Sequence, residues 1–322
     1  MILVRSPREL ADWSGPLAVS VGVFDGVHRG HRAVFEALAA EARSRGGENG
    51  PVRRLVVTLD PHPVVVLRPN ARVPLLTTPR ERARLLEGPD APDGFLVHTF
   101  DREVAALPPA EFLRGLVPPG CRLAALVVGY DFRMGKDRSG GFEELSAMGA
   151  RDGFTVVRVP PAEVDGAPIS STRIRDLVAA GRMPEATELL GRPYRLVGTV
   201  VSGRGVGRTL DFPTANVDVG DDRKLLPEFG VYAVRVRILG DESRGERRPG
   251  VLNRGVRPTF GLSDPVVEVH LPGFEGDLTG RELDVEVVER IRSEERFSSP
   301  QELAARIAVD VQEARRILQE RP

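Results

Sequence analysis

Residues 19–31 read Val-Ser-Val-Gly-Val-Phe-Asp-Gly-Val-His-Arg-Gly-His. An apolar run enters a glycine-rich turn, and beyond it Val34, Phe35, Leu38 and Ala42 share one helical face before Gly46 and Gly47 stop the helix. Strand, tight turn and helix form the repeating unit of a parallel sheet, whose ligands collect at the carboxyl ends of the strands. His28 and His31 fall at such an end, three residues apart, at the expected helix start. Gly26 and Gly30 let backbone approach a ligand closely, and the helix N-terminus offers unpaired N–H groups, so the turn reads as a cationic cradle for phosphate. The same pattern also fits a tight turn with incidental imidazoles, or a metal pair with Asp25.

Outward from this stretch the same alternation repeats. Leu17 to Phe24, Leu55 to Leu59, Gly94 to Val97, Leu123 to Val128 and Thr155 to Val159 read as buried strands. Thr78, Pro79 and Glu81 supply N-cap, N1 and N3 signals for a helix between two of them. The expectation is an α/β, Rossmann-like domain over residues 1–187. Around Arg182 to Pro193 the pattern changes. Arg195 to Val201, Val231 to Ile238, Val266 to Leu271 and Leu283 to Val288 are β-rich runs with no helix between them, which predicts an antiparallel β-barrel or sandwich over residues 188–322. The tail turns helical again. Ser299-Pro300-Gln301-Glu302 forms a capping box, followed by Leu303, Ile307, Val311, Ala314 and Leu318 on one face, so a C-terminal helix is expected to pack on the barrel.

The bulk properties exclude several classes of function. At 322 residues the chain is long enough for two domains, and its 41% hydrophobic and 28% charged content is ordinary globular composition. A formal net charge of −1 supplies no field for nucleic acid or an anionic membrane, so phosphate affinity has to be local. Cys121 is the only cysteine, which rules out an intramolecular disulfide and a multi-cysteine zinc site and fits a reducing cytoplasm. No apolar run approaches the length of a membrane span, and the N-terminus lacks the layout of a secretion signal.

Two further clusters carry chemistry. Ile169-Ser-Ser-Thr-Arg-Ile-Arg175 puts three hydroxyls and two guanidiniums at a helix start, a second anion cradle and equally an ordinary N-cap beside surface arginines. Gly203, Gly205 and Gly207 punctuate a loop that leads into Gly207-Arg-Thr-Leu-Asp-Phe-Pro-Thr-Ala-Asn216. That arrangement suits a flap over nucleotide phosphates, with Thr214 and Asn216 offering hard oxygen ligands to Mg²⁺, and it also fits a plain β-connection. In Val267-Glu-Val-His-Leu271, alternation places Glu268 and His270 on one face. Arg292, Glu294 and Glu295 read as a solvated charge cluster.

Taken in order, GVFDGVHRGH (22–31), TLDPHP (58–63), VVGYDFRMGK (127–136) and ISSTRIR (169–175) resemble the nucleotidyltransferase half of the bacterial bifunctional riboflavin kinase and FAD synthetase family. GRTLDFPTAN (207–216), LLPEFGVYAV (225–234), GVLNRGVRPTF (250–260), VEVHL (267–271) and IRSEERF (291–297) resemble its kinase barrel over nearly the whole length. The resemblance implies two activities: AMP transfer from ATP to FMN, giving FAD and pyrophosphate, in the N-terminal domain, and ATP-dependent phosphorylation of riboflavin in the C-terminal domain. It implies that His28 and His31 contact the ATP phosphates and the transition state, with Gly26 and Gly30 in the same phosphate turn. Ser171, Thr172 and Arg175 are expected to hold the leaving pyrophosphate, and Asp131 to lie near the transferring groups; Asp60 is a second candidate, in a turn whose role reads as structural. In the kinase half, Gly207, Arg208 and Thr209 are expected at the nucleotide, Thr214 and Asn216 at Mg²⁺, and Glu268 as the base for the riboflavin hydroxyl.

The implied partners are riboflavin, FMN, FAD, ATP, ADP and pyrophosphate, with neither nucleic acid nor membrane, and transient contact with apoflavoproteins is left open. The sequence departs from the family pattern at Asp211, Arg254, Pro272 and Thr279, departures expected to bear on flavin affinity and pocket shape. Three rival readings stay in view. They are a monofunctional enzyme, a flavin- or nucleotide-binding regulator without turnover, and a cytidylyltransferase using the same His-x-Gly-His turn.

Overall fold

The computed structural model describes residues 1–46, 50–68, 70–202, 212–240, 246–259 and 262–321. The chain divides into two compact units, Met1–Ser171 and Thr172–Pro322.

In the first unit the strands are β1 (Ile2–Val4), β2 (Ser14–Gly22), β3 (Arg53–Asp60), β4 (Gly94–Thr99), β5 (Gly120–Gly129) and β6 (Thr155–Val159), all parallel, in the order β1-β4-β3-β2-β5-β6. The helices are α1 (Arg29–Arg45), α2 (Pro63–Leu67), α3 (Pro79–Leu85), α4 (Arg102–Ala105), α5 (Pro109–Leu116) and α6 (Phe142–Asp152). Residues alternate between two cores. Leu17, Val19 and Val21 pack with Trp13, Phe112 and Leu116 on one face of the sheet, while Ala18, Val56 and Phe95 pack with Val34 and Leu38 of α1 on the other. Burial on both faces is why these strands read as continuous apolar runs. After β2 the strand order reverses, β3 lying on one side and β5 on the other, so a crevice opens beyond the carboxyl ends of β2 and β5. A hairpin, β7 (Glu163–Val164) and β8 (Ala167–Pro168), closes this unit; Asp165 and Gly166 supply its two left-handed residues, with φ 55° and 70°.

In the second unit α7 (Ser171–Ala179) and α8 (Met183–Leu190) precede a closed barrel. The sequence pattern assigns both helices to the first domain, yet α8 packs on β9 and β14 of the barrel. The barrel strands are β9 (Tyr194–Val201), β10 (Thr214–Asp218), β11 (Gly230–Leu239), β12 (Arg248–Thr259), β13 (Leu262–His270) and β14 (Glu282–Arg292), in the order β10-β13-β12-β11-β14-β9 with all six pairings antiparallel. β10 and β12 are strands that the apolar runs do not announce. The expected C-terminal helix is α9 (Pro300–Glu320), and its Val311, Ala314 and Ile317 cover Val231, Ala233, Val251 and Val288 on the outside of the barrel.

Arg292 is not part of a solvated cluster. Its guanidinium is buried on α9, where Nε and Nη2 reach the Asp310 carboxylate at 2.8–3.1 Å and Asp310 is 2% exposed. No helix among the described residues is long and apolar enough to cross a membrane.

Candidate active sites

β2 ends at Gly22, and the following turn departs sharply from ordinary backbone. Phe24, Gly26 and Val27 have φ of 50°, 86° and 43°. Glycine adopts such angles freely, but phenylalanine and a β-branched valine do so only where the surroundings hold them. Those surroundings are polar and buried. The Val23 carbonyl accepts from Thr58 Oγ1 at 2.7 Å, and the Gly26 N–H donates to Thr77 Oγ1 at 2.8 Å. The Asp25 carboxylate, fully buried, accepts from the backbone N–H groups of Leu76 and Thr77 at 3.0 and 2.9 Å, and Arg82, 1% exposed, lies 3.6 Å away. Asp25 is therefore turned into the protein, and the reading of a metal pair between it and the imidazoles falls away. Among the described residues no group of histidine, cysteine and carboxylate side chains has the arrangement of a metal site.

The turn delivers His28 as the N-cap of α1, where its Nδ1 accepts from the His31 N–H at 3.3 Å. The two rings stack, with centroids 3.5 Å apart and 19° between planes. Burial, then the neighbouring His28, then Arg82 hold the His31 pKa well below its usual value. The cationic cradle read from the sequence is thereby weakened at His31, where burial and the neighbouring basic groups disfavour the protonated ring. His31 Nδ1 is buried without a hydrogen-bond partner among the described residues.

His28, Gly30 and His31 line a cavity of about 150 Å³ together with Asp131, Ser170 and Ser171. Asp131 follows β5 across the strand-order reversal, so two distant motifs of the sequence meet here. Ser171, the last residue of the first unit, turns its hydroxyl onto the Asp25 carbonyl at 2.9 Å, which ties it to the His28/His31 turn. Thr172 and Arg175 follow on α7 and are counted with the second compact unit. Asp60 ends β3 at a cis Asp60–Pro61 bond and does not line this cavity; His62 caps α2 through Nδ1 and the Val64 N–H, a structural role.

The second cluster is built by register rather than by a turn. Thr214, Ala215 and Asn216 on β10 lie opposite His270, Val269 and Glu268 on β13, and Glu268 in turn lies opposite Asn253 on β12. Directly opposed residues of an antiparallel pair share a face. Thr214, Asn216, Asn253, Glu268 and His270 therefore stand together on the face that also carries Val251, the outer face covered elsewhere by α9. Buried Val267 and Val269 occupy the alternate face. His270 Nδ1 lies 2.8 Å from the Pro213 carbonyl, and its ring packs edge-on against Phe212, which fixes the start of β10.

Glu294 approaches the same patch: a Cβ on Gly255 would sit 2.6 Å from its Oε1 and 3.2 Å from Asn253 Nδ2, so a side chain there would displace the Glu294 carboxylate. Asn253 and Glu294 are residues that sequence reasoning does not place with Glu268; the two-residue alternation along β12 is the available signal. Thr214 and Asn216 also line a cavity of about 250 Å³ with Leu271, Phe274 and Thr279. Their hydroxyl and amide oxygens are hard donors on one strand face, a donor set that suits a small divalent cation. Gly207, Arg208, Thr209 and Asp211 lie outside the described residues. Arg254 points away from this patch: Nη1 donates to the Leu226 and Pro227 carbonyls and the guanidinium lies 4.3 Å from the centroid of the Phe229 ring.

Comparison with known proteins follows this division. A FAD synthetase family model matches residues 12–173, and a riboflavin kinase model matches residues 190–318. Over 98% of its length the chain is 38% identical to the bifunctional riboflavin kinase/FMN adenylyltransferase of Pseudomonas fluorescens, covering 97% of that protein. The chain belongs to the bifunctional riboflavin kinase/FMN adenylyltransferase family. The Escherichia coli K12 member of this family is 40% identical over 92% of the chain and 91% of its own length. A crystal structure described as a macrolide-efflux protein from Streptococcus pneumoniae superposes with a TM-score of 0.82 at 28% identity, covering 98% of this chain and 99% of that one. The FAD synthetase match thus takes in the His28/His31 cavity, and the riboflavin kinase match takes in the Glu268 patch.

Proposed function

We propose that this chain carries out both activities of its family, with residues 1–187 acting as the FMN adenylyltransferase and residues 188–322 as the riboflavin kinase. The boundary near residue 188 lies between the two family matches, whereas compactness alone divides the chain after Ser171. The observation that carries the reading is full-length similarity to bifunctional relatives with both residue clusters intact.

In adenylyl transfer a phosphate oxygen of FMN attacks the α-phosphorus of ATP; the new P–O bond forms as the bond to the bridging oxygen breaks and pyrophosphate leaves. The nucleophile is already anionic, so the protein has to align it and offset charge at phosphorus. His28 is held in place by its N-cap bond, His31 stacks on its ring, and Asp131 borders the same space. Ser171, Thr172 and Arg175 are the residues proposed to receive pyrophosphate. In the kinase, Glu268 accepts the proton of the riboflavin 5′-hydroxyl as that oxygen attacks the γ-phosphorus. Thr214 and Asn216 would hold the divalent ion, taken to be Mg²⁺, which when bound neutralises phosphate charge; Gly207, Arg208 and Thr209 would meet the nucleotide. The reading extends to a cytoplasmic setting and to transient hand-over of FAD to apoflavoproteins.

The test is a chromatographic time course of purified protein with riboflavin, ATP and Mg²⁺. FMN is expected first and FAD after it. Accumulation of FMN alone would remove the transferase, and FAD formed only from added FMN would remove the kinase.

A further inference from the structure

Behind the His28/His31 turn lies a polar layer that takes no direct part in the chemistry proposed above. Its centre is Thr77, on the segment before α3 and about fifty residues from the turn in sequence. The Thr77 hydroxyl makes three bonds: it accepts from the Gly26 N–H at 2.8 Å and from Arg82 Nε at 3.2 Å, and it donates to Asp25 Oδ1 at 3.1 Å. One donor and two acceptors are all that a hydroxyl has. Arg82 completes the layer. Nη1 donates to Thr58 Oγ1 at 2.9 Å and Nη2 to the Thr77 carbonyl at 2.9 Å, and Thr58 passes its own proton to the Val23 carbonyl. Val23, Asp25 and Gly26 are thus held from below through Thr58, Leu76 and Thr77, and the guanidinium braces both threonines.

The turn needs bracing because two of its residues other than glycine hold left-handed backbone, with φ of 50° at Phe24 and 43° at Val27. Relaxing either residue would move His28, whose ring stands one residue beyond Val27 and stacks on His31. We infer that Thr77 and Arg82 are positioning residues for adenylyl transfer, holding the strained turn so that the His28 and His31 rings meet the transferring phosphates in one orientation. The inference rests on the proposed role of those imidazoles.

The test uses the full chain, in which riboflavin phosphorylation serves as an internal control. Thr77→Val keeps the shape of the side chain and removes all three hydroxyl bonds; Thr77→Ser keeps the hydroxyl. Turnover of added FMN to FAD is measured at saturating ATP and expressed per folded transferase site, counted from the fluorescence of Trp13, the one tryptophan, which is buried in the core of the sheet unit, so that loss of folded protein cancels. Thr77→Val is expected to lower turnover per site by tenfold or more with the KM for FMN changed less than threefold, while Thr77→Ser stays within threefold and kinase turnover within twofold of the parent. Turnover per site in Thr77→Val equal to the parent, with His28→Ala and His31→Ala each lowered by about 10²-fold, would overturn the inference alone. Full transfer by both histidine variants would overturn the reading of the imidazoles, and the inference with it. If Thr77→Val does not fold, Arg82→Lys takes its place, because it keeps the buried charge and loses the fork to Thr58. The same tenfold loss per site is then expected, and parental turnover per site would again overturn the inference.

Discussion

The two candidate sites are made in opposite ways. The transferase site is a turn: a contiguous stretch bends through left-handed backbone, and its two histidines are neighbours because they sit three residues apart on one helix start. The kinase site is a matter of register, since Thr214, Asn216, Asn253 and Glu268 come from three strands and meet only because each strand pairs in one alignment. A turn site depends on the few bonds that hold its backbone; a register site depends on the whole barrel. Local damage should therefore separate the two activities, and damage to the barrel should fall on one of them only.

The sharpest separation is expected from Glu268→Gln. Removing the proposed general base should lower FMN formation by about 10³-fold while adenylylation of supplied FMN continues. Loss of both activities in a folded variant would contradict independent sites. Next in size is Asp310→Ala, which removes the buried carboxylate that holds the Arg292 guanidinium on α9 and leaves it only the exposed Glu295 as an ionic partner. Breaking a buried pair by removing one partner costs about 3 kcal/mol, so the barrel should unfold at lower denaturant concentration and kinase activity should be lost before transferase activity. His31→Ala should reduce adenylyl transfer by about 10²-fold, the scale of losing one transition-state contact, with kinase rates unchanged.

The pH response should differ as well. His31 and His98 are both held below the usual histidine range, chiefly by burial. As pH falls through about 6.5 the unfolded chain takes up protons that the folded one refuses, so stability is lost progressively from there down to the folded pKa. Unfolding of the sheet unit should become easier below that point, and His31→Gln should flatten the slope; an unchanged slope would assign it elsewhere. The smallest effect is Ser299→Ala, which removes the cap that accepts the Glu302 N–H at 3.2 Å and should cost the barrel unit about 1 kcal/mol by denaturant titration.

What can be read in the sequence follows the same contrast. The transferase turn is legible because its glycines, aspartate and histidines are contiguous and follow an apolar strand. The layer behind it is not, because Thr77 and Arg82 lie far along the chain and look like an ordinary cap and a helical arginine. In the barrel, β10 reads as a polar turn because Pro213, Asn216 and Asp218 are turn formers, yet Thr214 to Asp218 alternates between exposed and buried positions along the strand. β12 hides behind its glycines and prolines, one of which, Gly255, lies against the Glu294 carboxylate. The family resemblance names the kinase residues; spacing alone cannot put Glu268 opposite Asn216. The lowered pKa of His31 escapes a short motif, because burial and the proximity of Arg82 leave no trace in it.

The closed barrel turns Glu268 and Asn216 away from its axis, while buried Leu196, Tyr232, Leu252 and Leu283 stand on the alternate, interior face. The interior and the outer face can therefore change on separate schedules. Substitutions in the barrel's filling are free to accumulate as long as volume is kept, and the register of β10, β12 and β13 will still present the same polar side chains to solvent. A lineage can in this way retune its working temperature without renegotiating its chemistry, a freedom that the strained turn, with its structural supports and reactive groups in direct contact, does not have.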